Sequence, residues 1–121
     1  MGLFKKNVTV TKSLAMSGKE TGAIVGVKGA MLGRIYRMQQ DEETIIGSDA
    51  NCATLVLADS CIDGKLCSIR YNQEGKNYFV RKLGTGYMEA DGEELLEAKE
   101  YTLDPGTRII LGNETNEIRL G

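Results

Sequence analysis

Along this chain the apolar residues fall in short runs rich in Ile and Val. Each run is followed by a polar or glycine-containing stretch, and no segment keeps a convincing helical period. Alternation over four to seven residues, cut by turn chemistry roughly every 10 residues, is the pattern of an all-β sandwich or barrel. It predicts strands at 22–27, 34–38, 43–47, 54–57, 66–72, 77–82, 87–90, 94–95, 100–103, 108–111 and 116–120. Residues 93–100 contain good helix formers, but the stretch is too short to hold a helix alone.

The turns carry their own signals. Asp91-Gly92 is the strongest two-residue hairpin pair in the chain. In "LDPGT", Pro105 pre-sets φ and Gly106 follows at the left-handed position. In "NQEGKN", Gly75 is the residue expected to take positive φ. Ile45, Val56, Ile69, Phe79, Val80, Ile110 and Leu111 are the expected core, and adjacent members must point to opposite faces. Residues 1–21 read differently. "NVTVT" alternates like an edge strand and "KSLAMSGKETG" is loop-like, so this segment is a tail or an added edge strand ahead of a domain at 22–121. "NVTVT" is suited to adding to a sheet edge through main-chain hydrogen bonds.

Composition narrows the function. The 121 residues suit one domain, and the net charge of −2, with acids and bases mixed, offers no basic surface for nucleic acid or an anionic membrane. With no Trp and 6% aromatic residues, the stacking platform of a small nucleic-acid-binding β-barrel, the remotest alternative, is lacking. No apolar run approaches the ~20 residues of a membrane span, and "MGLFKK" lacks the apolar core of a secretory signal. Lys6 stands where a myristoylation motif wants Ser or Thr. Cys52, Cys61 and Cys67 are an odd number, with no histidine in the chain to complete a zinc site. The expectation is a reduced, cytoplasmic protein with no cofactor and no metal, in which Cys52 and Cys67 are buried thiols and Cys61 is accessible. Without histidine there is also no ready general acid–base pair, so no catalytic residue is assigned. The four glycines of "GAIVGVKGAMLG" lack the Lys-Ser/Thr of a phosphate-binding loop, and read as turns and close strand packing.

Four segments in order, "GAIVGVKGAMLGRIYRM", "TIIGSDANCATLVLADSCIDGKLCSIRYN", "NYFVRKLGTGYMEADGEEL" and "YTLDPGTRIILGNETNEIRL", resemble a forkhead-associated (FHA) domain over residues 22–121. The resemblance implies a SMAD/FHA-like β-sandwich of about 11 mostly antiparallel strands, whose loops bind phosphothreonine peptides. It also implies where binding residues fall. The family's Gly-Arg is Gly47-Ser48 here, and its Ser-Arg-x-His is Asp63-Gly64-Lys65-Leu66. Its Asp-x-x-Ser-x-Asn-Gly aligns only as Lys82-Leu83-Gly84-Thr85-Gly86, one residue short and without the asparagine.

The arginine, serine and histidine of the family pattern are therefore absent, and Asp63 sets a carboxylate where a dianion would sit. Loop residues 47–51, 58–65 and 83–86 hold Asp49, Asp59 and Asp63 against Lys65 alone. Leu66 either fills the space of the missing histidine or adds to an apolar contact surface. These departures predict a non-enzymatic, signalling-type docking module with a protein or peptide partner and a degenerate phosphopeptide site. The alternative is a phosphothreonine reader with a shifted basic site at Lys65, Arg70 and Lys82, the last two converging from adjacent strands.

Overall fold

A computed structural model describes residues 22–39 and 42–121. The segment 1–21, including the expected edge strand "NVTVT", lies outside the described residues. The strands are β1 (Ala23–Lys28), β2 (Ile35–Arg37), β3 (Glu43–Gly47), β4 (Leu55–Val56), β5 (Cys67–Asn72), β6 (Asn77–Lys82), β7 (Tyr87–Ala90), β8 (Glu93–Glu94), β9 (Glu100–Leu103) and β10 (Arg108–Leu120). A single 3₁₀ turn, Gly29–Met31, follows β1.

They form two sheets, β9-β6-β5-β3-β4 and β2-β1-β10-β7-β8, antiparallel except for the β3–β4 pair. β10 runs unbroken from Arg108 to Leu120 but doubles back on itself. The Leu120 N–H donates to the Thr107 carbonyl at 3.0 Å and Gly106 N–H donates to Leu120 at 2.6 Å. Thirteen residues in one extended line would hold those ends roughly 40 Å apart. The expected strands 108–111 and 116–120 are thus its two arms. Ile109–Gly112 pairs with β7 and Glu117–Leu120 with β1. Counting both arms, the described strands number 11, the FHA-type sandwich expected from the sequence.

One core lies between the sheets. Ile24, Met88, Ile109, Leu111 and Leu120 from one meet Ile46, Leu55, Cys67, Ile69 and Val80 from the other, all buried. Tyr78, fully buried, pins the sheets together. Its hydroxyl donates to the Gly121 carbonyl at 2.5 Å and accepts from the Ala23 N–H at 3.1 Å.

The expected core is half right. Ile69, Val80 and Leu111 are buried, whereas Ile45, Val56, Phe79 and Ile110 are only half-covered on the outer faces. Their neighbours Ile46, Leu55, Tyr78 and Ile109 point inward instead. Adjacent apolar residues leave the parity of a strand undetermined, and cross-strand pairing then decides it.

The turns follow the local chemistry with one exception. Asp91 and Gly92 both take positive φ (46° and 90°), the geometry of a tight two-residue hairpin. In 72–77 it is Lys76, not Gly75, that turns left-handed (φ 53°), and the ends close through Asn72 Nδ2 donating to Asn77 Oδ1 at 2.9 Å.

Candidate functional site

Three loops gather at one end of the sandwich. They are 48–54 after β3, 57–66 between β4 and β5, and 83–86 between β6 and β7. Strand pairing places them side by side, because Ile46 sits opposite Cys67 and Cys67 opposite Lys82. Leu66 joins all three. Its N–H donates to Ile46 (2.8 Å), and its carbonyl accepts from Leu83 (2.7 Å) and Gly84 (3.0 Å).

Gly47 is where the first two loops touch. Its φ is not positive, so the turn does not need glycine for its backbone angle. Closeness is what excludes other residues. A Cβ there would lie 2.0 Å from the Gly64 carbonyl oxygen and 3.0 Å from Lys65 Cα. The backbone N–H groups that follow Gly47 are taken up within the loops. Ser48 N–H donates to the Asp63 carbonyl at 3.0 Å, and Asp49 N–H to the Gly64 carbonyl at 3.2 Å. The Ser48 hydroxyl donates to the Ile62 carbonyl at 2.8 Å.

Asp63 ties in the third loop. Its Oδ2 accepts the Gly86 N–H at 2.9 Å. The chain passes so near this carboxylate that a Cβ on Gly84 would lie 2.1 Å from it. Leu66 is fully buried beneath, about 3.2 Å from the Cβ position of Gly86, so it fills space and offers no contact surface. Thr85 and Lys65 are exposed at the rim. The loops thus bring together Gly47, Ser48, Asp63, Gly64, Leu66 and Gly86, with Lys65 and Thr85 around them.

Arg70 and Lys82 do not join this cluster, nor do they converge. Arg70 lies opposite Phe79, three residues from Lys82 along β6, and an odd offset puts the two side chains on opposite faces. Arg70 stacks over the Phe79 ring (4.8 Å to its centroid) and shares Glu100 with Arg81, each 4.0 Å away. Lys82 faces inward with Cys67 at the strand end and is 7% exposed.

One support escaped the sequence reading. Asn116, 2% exposed, donates from Nδ2 to Asp59 Oδ2 at 2.8 Å and accepts the Ala30 N–H at 3.0 Å on Oδ1. It fastens the 57–66 loop to the opposite sheet. That bond, with the Cys61 N–H donating to Asp59 Oδ1, holds the Asp59 carboxyl below its ordinary 3.8. Asn116 stands among polar neighbours in "NETNEIRL", so nothing local in the sequence marked this link.

Cys61 is exposed as expected, but so is Cys52, which lies 3.5 Å from Asp49 Oδ2. It sits in the loop before β4, not on the strand's inner face. Cys67 is fully buried, and burial pushes its thiol up to about 12. Among the described residues, no three His, Cys, Asp or Glu side chains gather as metal ligands, and no helix is long and apolar enough to cross a membrane.

No family model and no curated protein matches the sequence. Solved structures do match. The FHA domain of the CT664 protein from Chlamydia trachomatis superposes with TM-score 0.72 at 21% identity, covering 83% of this chain and 95% of that one. The cytoplasmic domain of the type III secretion sorting-platform protein PscD from P. aeruginosa gives 0.69 at 17%, covering 84% and 79%. The N-terminal FHA domain of S. cerevisiae Rad53p, in complex with a phosphothreonine peptide, gives 0.65 at 16%, covering 83% and 90%. At these identities the likeness is one of fold, and the fold is that of an FHA domain.

Proposed function

We propose that this chain is a non-enzymatic protein-interaction module that docks a protein or peptide through its FHA-type loops without recognising phosphothreonine. The observation that carries this reading is the Asp63 carboxylate on the Gly86 N–H, a negative charge already seated among the loops. The Ser48 hydroxyl points its proton at the Ile62 carbonyl, so it offers no donor to a phosphate without breaking that bond. Charge-assisted contacts are about twice as strong as neutral ones, and no arginine stands within these loops to supply one.

The Rad53p neighbour's phosphothreonine peptide supports a peptide partner for this fold. A shifted basic site at Lys65, Arg70 and Lys82 fits less well, because Arg70 and Lys82 face opposite sides of their sheet. Nucleic acid and membrane are poor partners for an acidic loop end.

Calorimetric titration with a degenerate phosphothreonine peptide library, alongside its unphosphorylated twin, tests the reading. The expected result is no gain from the phosphate. Phosphate-dependent binding tighter than about 50 µM would overturn it and point to Lys65 as the anchor.

A further inference from the structure

The outer face of the β2-β1-β10-β7-β8 sheet is divided by charge. Residues directly opposite on paired strands share a face, so the register says what each half presents. Ile35 stands opposite Val25, and Val25 opposite Arg119, across β2, β1 and the second arm of β10. Arg37, opposite Ala23, lies two residues along β2 on the same side. Lys28 stands opposite Glu117, just past the irregularity between Glu117 and Ile118. On the other half, Ile110 of the first arm stands opposite Glu89, and Glu89 opposite Glu94 of β8. The alternating neighbours, among them Ile24, Ile109, Ile118 and Met88, are buried in the core, so this is the solvent side.

The seam between the halves is neutralised from within. Arg108 of the first arm of β10 reaches Glu117 of the second at 3.3 Å. To one side of that pair stand Lys28, Arg37 and Arg119, and to the other Glu89 and Glu94. Among the described residues, none of these five has an ion pair within 4.0 Å. Glu89 and Glu94 also face each other directly, a like-charge pairing that destabilises adjacent strands. Val25 and Ile110 are only half-covered between the charged groups, and Ile35 is 60% exposed. Each half carries the charge that the other lacks.

Such a face is complementary to itself. A two-fold axis lying in the face, parallel to the strands and between the arms of β10, sets the cationic half of one copy over the acidic half of another. An axis across the strands would superpose like charges, so charge selects the first. A partner of one sign would match half of the face and be repelled by the rest. A C2 contact uses both halves twice.

We propose that two copies of this chain associate through this face, the Lys28, Arg37 and Arg119 side of each over Glu89 and Glu94 of the other. The half-covered Val25, Ile35 and Ile110 supply the apolar area between. Five strands, one of them contributing two arms, make a face roughly 30 Å across, which suits a weak dimer rather than an obligate one. The proposal does not depend on how the loops treat phosphate.

Sedimentation equilibrium of the full chain tests it, on the natural protein, on Glu89→Lys/Glu94→Lys, on Arg37→Glu/Arg119→Glu, and on the two variants mixed. The natural protein should self-associate with a Kd on the order of 10–100 µM. Each variant alone should associate at least about tenfold more weakly, because its face then carries one sign, and mixing the two should restore the dimer. Amide NMR shifts of the natural protein should move with concentration at residues 23–28, 35–37, 87–94 and 117–119. A natural protein that stays monomeric to about 1 mM would overturn the proposal. So would self-association that survives both reversals, concentration-dependent shifts confined to other strands, or variants that stay apart when mixed.

Discussion

Asp63 and Gly86, 23 residues apart in sequence, are joined by a 2.9 Å hydrogen bond from the Gly86 N–H to the Asp63 carboxylate. The bond does two things at once. It closes the 83–86 loop onto the 57–66 loop, and it seats an anion where an anionic ligand would compete for the same N–H. Asp63→Ala should therefore cost stability. Bonds to charged groups contribute about 1.5–3 kcal/mol, and partial solvent access here discounts that to about 1 kcal/mol. Chemical denaturation measures the loss, and hydrogen exchange should localise it to the Gly86 amide.

Gly47→Val should destabilise by about 1–3 kcal/mol, the range for overpacking a tight contact. The cause is collision with the Gly64 carbonyl, 2.0 Å from the Cβ position, not strain in φ. Denaturant midpoints of the natural and variant proteins check this. A neutral result would mean that the two loops part at little cost.

The three thiols should react in two classes. Cys52 and Cys61 are exposed, whereas burial holds the Cys67 thiol at about 12 and so fully protonated near neutral pH. Mass spectrometry after mild alkylation should find two labels on the native protein and a third only under denaturing conditions.

The Asp59–Asn116 link should show in acid. The folded carboxyl sits below its ordinary 3.8, so the unfolded chain binds the proton more readily. Its contribution is complete above the unfolded value and fades as pH falls through the folded one. Asp59→Asn should flatten that part of the stability–pH curve below about pH 4 and change its shape little near neutrality. Denaturation series from pH 2 to 7, roughly, compare the two proteins.

Much of the fold was legible because its signals are local. β3, β6, β7 and β9 begin and end at the expected residues, bounded by glycine, asparagine or the Asp91-Gly92 turn. Where two apolar residues adjoin, as at Ile45-Ile46 or Phe79-Val80, the sequence does not say which points inward, and register decides. The site was legible in what it lacks, since absent residue types are read directly. Its internal bonds were not legible. Ser48 to Ile62, Asp63 to Gly86 and Asp59 to Asn116 span 14, 23 and 57 residues, and only folding brings those groups together. Arg70 and Lys82 fail as a pair for the same reason, because their faces depend on a register that adjacency in a strand order does not reveal.

The central claim is that the loops are closed around their own carboxylate and lack a phosphate anchor. Isothermal titration of one phosphothreonine peptide into the natural domain, Ser48→Arg, and Ser48→Arg/Asp63→Ser tests it most directly. The account predicts no phosphate-dependent heat from the first two, because Asp63 still repels the dianion after the arginine is added. It predicts weak binding, in the range of about 100 µM to 1 mM, from the double variant alone. Phosphate-dependent binding by the natural domain as tight as that of the double variant would contradict it.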